Sequence, residues 1–142
     1  MARVEQQLQR DNPEIRGHYI EVEPGRDRDV FYRAGFWDVD IEYLQPGLSP
    51  THEACRLALM FKPLGRCYEP PTLSSEDLRA ALLQIGTTVY RQADPKSQPA
   101  YRRSVQSVAG RTEIELRRPP HFPAPTYGVS LGIFQTGANP CR

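Results

Sequence analysis

In the stretch AGFWDVDIEYLQPG (34–47), Val39, Ile41 and Tyr43 alternate with Asp38, Asp40 and Glu42. A period of two places the apolar set on one face and the acids on the other, which predicts a half-buried strand ended by Pro46-Gly47. With the apolar run Val30–Tyr32 before it and Ala34-Gly35 as the turn, residues 29–47 are expected to form a hairpin. GHYIEVEPG (17–25) predicts a short strand closed by a Pro-Gly turn. RRSVQSVAGRTEIELRRPP (102–120) predicts a second hairpin. TYGVSLGIFQTG (126–137) predicts a final strand with Val129, Leu131 and Ile133 on one face.

The helical signal is clearest at 72–92. Ser74 is placed to cap, Asp77 three residues on completes a capping-box-like start, and Leu78, Leu82, Ile85 and Val89 form one stripe at helical spacing. Gly86 inside that stripe weakens the helix by about 1 kcal/mol relative to Ala. LSPTHEACRLALMFKPLG (48–65) carries two patterns. Ser49-Pro50 suits a helix start and Pro63 a stop, whereas Cys55, Leu57, Leu59 and Phe61 alternate as in a strand. The start and stop signals favour a helix over 50–61. Residues 1–16 are polar and read as a frayed segment or a short helix. Residues 93–101 read as an exposed loop and 137–142 as a tail.

These elements predict one α+β domain over 17–136. Its antiparallel sheet has about five or six strands, with hairpins before and after a helical middle, packed by one or two helices. The chain's 142 residues are ample for one core. Fourteen prolines against ten glycines favour short elements joined by stiff turns. The two predicted hairpins share a pattern over 34–41 and 109–116: Ala-Gly, two free positions, then acid, β-branched, acid, aliphatic. A true duplication should extend further than eight positions, so convergence on one turn-plus-strand pattern is the simpler reading.

Net charge is +1, which argues against bulk electrostatic binding to nucleic acid or membrane, but its distribution is uneven. Residues 1–53 hold six Arg and eleven Asp/Glu, a net of −5. Residues 54–142 hold twelve Lys/Arg and six Asp/Glu, a net of +6. Such a chain can fold its acidic third against its basic part or associate head to tail, although two differing solvated faces are the plainer reading. Sixteen of the eighteen basic residues are Arg, the residue interfaces favour over Lys.

Three carboxylates on one strand face could bind a hard cation or act as an acid–base pair. Since Val39, Ile41 and Tyr43 supply the core face, Asp38, Asp40 and Glu42 are expected to face water instead, and Glu113 and Glu115 obey the same rule. His52 and Cys55 are spaced His-x-x-Cys with Cys67 following, but no second close pair exists, so no metal and no cofactor is expected. Dyads of Cys55 with His18 or Cys67 with His121 could form only through the fold. With Cys141 the cysteines number three. The N-terminus has no apolar core like that of a signal peptide, so free thiols in a reducing, cytoplasmic setting are expected.

Two sets of residues are candidates for binding. Tyr32, Phe36 and Trp37 would anchor a protein interface if the sheet leaves them exposed. Arg102, Arg103, Arg111, Arg117 and Arg118 interleave with Tyr101 and Phe122 as in single-strand nucleic-acid binders, without an RNP-like or KH-like signature. RPPHFPAPTY (118–127) reads as a rigid connection rather than a complete Pro-rich ligand. The expected function is therefore a non-enzymatic interaction or assembly protein, self-associating or binding another protein. A virus- or phage-encoded structural or accessory protein is one form this would take. RNA or DNA binding by the Arg-rich segment, or a small enzyme with a site assembled in space, are the alternatives.

Overall fold

The computed structural model describes residues 2–13, 16–47, 55–64 and 72–122. In chain order these form α1 (Ala2–Asp11), β1 (Gly17–Val22), α2 (Asp29–Arg33), β2 (Trp37–Val39), β3 (Tyr43–Leu44), β4 (Arg56–Pro63), β5 (Thr72–Ser74), α3 (Ser75–Gln84), α4 (Pro99–Gln106) and β6 (Glu113–Arg117). A π-helical turn, Ile85–Val89, continues α3, and a short 3₁₀ turn, Pro95–Ser97, precedes α4. The strands make one curled antiparallel sheet in the order β1-β4-β2-β6-β5, with β3 paired to the start of β4. The fold is α+β, as the sequence predicts.

The sheet is organised around β4, which the start and stop signals at 50–61 assign to a helix. Here the expectation fails; residues 48–54 lie outside the described residues. Leu57, Leu59 and Phe61 point into a core under α3 and α4 with Trp37, Val39, Tyr43, Leu73, Leu78, Leu82, Val108, Ile114 and Leu116. Met60 and Ala58 point the other way, into a smaller cluster with Val22, Tyr32 and Phe36 under α2. A strand buried on both faces has no polar side, so its apolar run is nearly unbroken and its period is hard to see.

Both predicted hairpins are corrected in their first arm. Asp29–Arg33 and Pro99–Gln106 are helices, each followed by a glycine with positive φ, Gly35 at +96° and Gly110 at +78°. Such a glycine ends a helix because the left-handed region costs it no Cβ clash. The resemblance of 34–41 to 109–116 is thus a shared helix-stop-then-strand pattern, and the two strands it leads into, β2 and β6, pair with each other at Asp38–Arg117 and Val39–Leu116. α3 starts as predicted, with the Asp77 N–H donating to Ser74 Oγ at 3.0 Å. The segment read as frayed, 1–16, contains the ten-residue α1. The predicted strand at 126–137, all of the Pro-rich connection beyond Phe122 and the tail lie outside the described residues.

Candidate functional site

β2 and the chain after it carry the three alternating acids, and each is held by arginine. Asp38 accepts from Arg28 at 2.7 Å and from the Tyr32 hydroxyl. Asp40 is paired with Arg111 at 3.1 Å and Arg117 at 3.2 Å, and Arg111 also donates to the Asp40 carbonyl at 2.8 Å. Glu42 meets Arg103 at 3.5 Å. The expectation that this face looks only to water is therefore corrected. The acids are partly exposed, but four arginines, three of them from the basic C-terminal part, lie against them. Glu113 and Glu115 are exposed as expected.

The same contacts show where the candidate nucleic-acid residues sit. Arg103, Arg111 and Arg117 are committed to Glu42, Asp40 and Glu115, and Arg102 donates to the Lys96 carbonyl at 3.2 Å. Arg118 lies over the Trp37 ring at 4.4 Å and donates to the carbonyls of Tyr32 and Phe36 at 2.9 and 2.8 Å. Arg103, Arg111 and Arg117 tie the later part of the described chain to Asp40 and Glu42.

Tyr32, Phe36 and Trp37 are not surface anchors in this chain: they are 4, 2 and 5% exposed. Phe36 and Trp37 do point to opposite faces, as neighbours near a strand must, but helices cover both faces, so both rings are buried. Phe36 packs edge-on to His18 at 5.0 Å, and Tyr32 stacks on Phe122 at 5.2 Å. Burial lowers the His18 pKa below 6.5, which keeps the imidazole neutral at pH 7. Cys55 is exposed and free; His52, Cys67 and Cys141 lie outside the described residues. Among the described residues no three His, Cys, Asp or Glu side chains converge as a metal site would need.

One polar cluster has no signal in the sequence. Glu21 on β1 accepts from the Tyr43 hydroxyl and, at 2.6 Å, from the Tyr90 hydroxyl, which in turn accepts from Gln45 at 2.8 Å. In GHYIEV the acid reads as an outward residue, and only the fold brings Tyr90 to it. Burial, and then the bond to Glu21, raise the Tyr43 pKa; the same causes push Tyr90 up to about 12. Burial and the bond to Asp38 push Tyr32 up to about 12. Hydroxyls held neutral this firmly fix geometry rather than move protons near neutrality. Beside Tyr43 a cleft lined by Leu82, Gly86, Gln92, Pro95 and Ser104 holds about 10 Å³, room for a single water.

No protein-family model matches the chain, and no curated protein or solved structure matches it. No helix among the described residues is long and apolar enough to cross a membrane.

Proposed function

We propose that this chain works as an interaction or assembly protein that binds other protein chains, further copies of itself among them. The observation that carries this reading is the orientation of α1. Glu5 faces the body of the protein and pairs with Lys62 at 2.6 Å, with both side chains mostly buried. Val4 and Leu8, one turn apart, are 63 and 39% exposed. An amphipathic helix of an isolated domain turns its apolar stripe to the core. On α1, Val4 and Leu8 flank the Glu5 side and keep part of their apolar surface uncovered among the described residues, which leaves it available to another chain.

Two further observations favour this reading over its alternatives. The arginines that would track a phosphate backbone are drawn into contacts within the chain. The cleft beside Tyr43 has room for a single water, so it adds no support to a small-molecule site there. The test compares the solution mass of the full chain with that of a Val4→Lys/Leu8→Lys variant by light scattering. A multimer whose mass falls in the variant is expected. Equal masses for the two proteins would remove α1 from the interface, and a 16.2 kDa monomer in both would overturn self-association.

A further inference from the structure

Among the described residues β1 is an end strand of the sheet, and its pairing with β4 shows which backbone groups face outward. The Leu64 N–H donates to the Arg16 carbonyl at 2.8 Å, so residues 16 and 64 form a hydrogen-bonded pair. Counting in steps of two along the observed register gives the other bonded pairs: His18 with Lys62, Ile20 with Met60, and Val22 with Ala58. Gly17 falls opposite Pro63, which has no N–H to give, as this phase requires. The N–H and C=O groups of Gly17, Tyr19 and Glu21 therefore point to the free side. Among the described residues, no backbone group bonds to them.

Open edges are normally blunted by proline, by lysine or by a bulge. β1 has none of these: its sequence is GHYIEV, and its register with β4 runs unbroken through six pairs. The edge is also self-complementary. Two antiparallel copies related by a two-fold axis at Tyr19 would place Tyr19 against Tyr19 of the second copy, and Gly17 against Glu21 of the second copy. Every outward group is then used, in three pairs that each exchange two hydrogen bonds. A two-fold axis at His18 or Ile20 would use fewer. In the Tyr19 register no charge meets a like charge, because Glu21 faces a glycine and its carboxylate is already occupied by Tyr43 and Tyr90.

We infer that β1 pairs edge to edge with β1 of a second copy, joining two sheets across a two-fold axis at Tyr19. The inference rests on the self-association reading above but is carried by the strand edge, not by α1.

Amide exchange followed by NMR on the full chain, with light scattering on the same samples, tests it. At a total concentration a hundred times the dimer dissociation constant about 7% of chains stay monomeric, so the Tyr19 and Glu21 amides should exchange about fifteen-fold more slowly than in dilute monomer. The His18, Ile20 and Val22 amides, already bonded to β4, should change little. A multimer in which Tyr19 and Glu21 exchange fast at every concentration would overturn the edge pairing and leave self-association standing. A monomer with fast exchange would overturn both. A monomer with slow exchange at these two amides would mean that the edge is filled within one chain, and would also overturn the inference.

Discussion

Ser104 on α4 and Ser107 at its C-terminal cap satisfy the backbone at and just before β3. The Leu44 N–H donates to Ser104 Oγ at 3.0 Å and the Glu42 N–H to Ser107 Oγ at 3.2 Å, so the three-residue spacing of a helix face matches the two-residue spacing of a strand. Ser104 is buried, and Ser104→Ala would leave the Leu44 donor without a partner; a loss of about 1–3 kcal/mol in urea unfolding is expected. Nothing in the sequence marks this role, because residues 102–120 read as a hairpin and the helix that brings Ser104 to Leu44 appears only in the fold. The tyrosines carry a second expectation. Tyr32 and Tyr90 have pKa values near 12 in the folded chain against 10 unfolded, so above pH 10 the unfolded state loses protons first. Their contribution to stability is full below pH 10 and is lost as pH rises towards 12. Urea midpoints measured from pH 8 to 12 should fall over that window, and a flat profile would contradict the Glu21 and Asp38 networks.

At the level of elements, legibility followed periodicity. β1 before a Pro-Gly turn and α3 with its Ser74 cap could be read because each has one buried face or one cap; the strand expected through Val39, Ile41 and Tyr43 was read only in part, since it breaks after Val39 and resumes as β3 at Tyr43. β4 could not, since burial on both faces removes the polar positions that reveal a period. α2 and α4 were hidden for a different reason: five and eight residues are too few for a helical stripe, and the Ala-Gly after each mimics a hairpin turn. Gly86 reverses its expected effect. Sequence reasoning makes it a weak point in α3 that alanine should strengthen by about 1 kcal/mol. In the structure a Cβ there would lie 2.7 Å from the Pro95 ring. Gly86→Ala should therefore destabilise the chain by about 1–3 kcal/mol in thermal or urea unfolding. A stabilised variant would mean that the 3₁₀ turn does not pack on the end of α3 as described.

Across the whole molecule, the uneven charge visible in the sequence is resolved by folding one part onto the other. The acids of the first third meet Arg103, Arg111 and Arg117 of the last. Because these pairs are partly exposed, each contributes modestly. Asp40→Asn should cost about 0.5–1 kcal/mol at low salt, and most of that difference should vanish at high salt as the charges are screened. Arg103 and Arg111 looked like part of a binding surface because their acidic partners, Glu42 and Asp40, lie 61 and 71 positions earlier in the chain. The three aromatics looked like anchors because a strand has two sides, and no local pattern reveals that helices cover both. Among the described residues the edge of β1 and the exposed Val4 and Leu8 of α1 offer surfaces for association that do not depend on charge. The most direct measurement is the solution mass of purified, nuclease-treated protein by light scattering after size exclusion, at low and high salt. A multimer that persists at both salts is the predicted result, and a monomer of 16.2 kDa under both conditions would contradict the account.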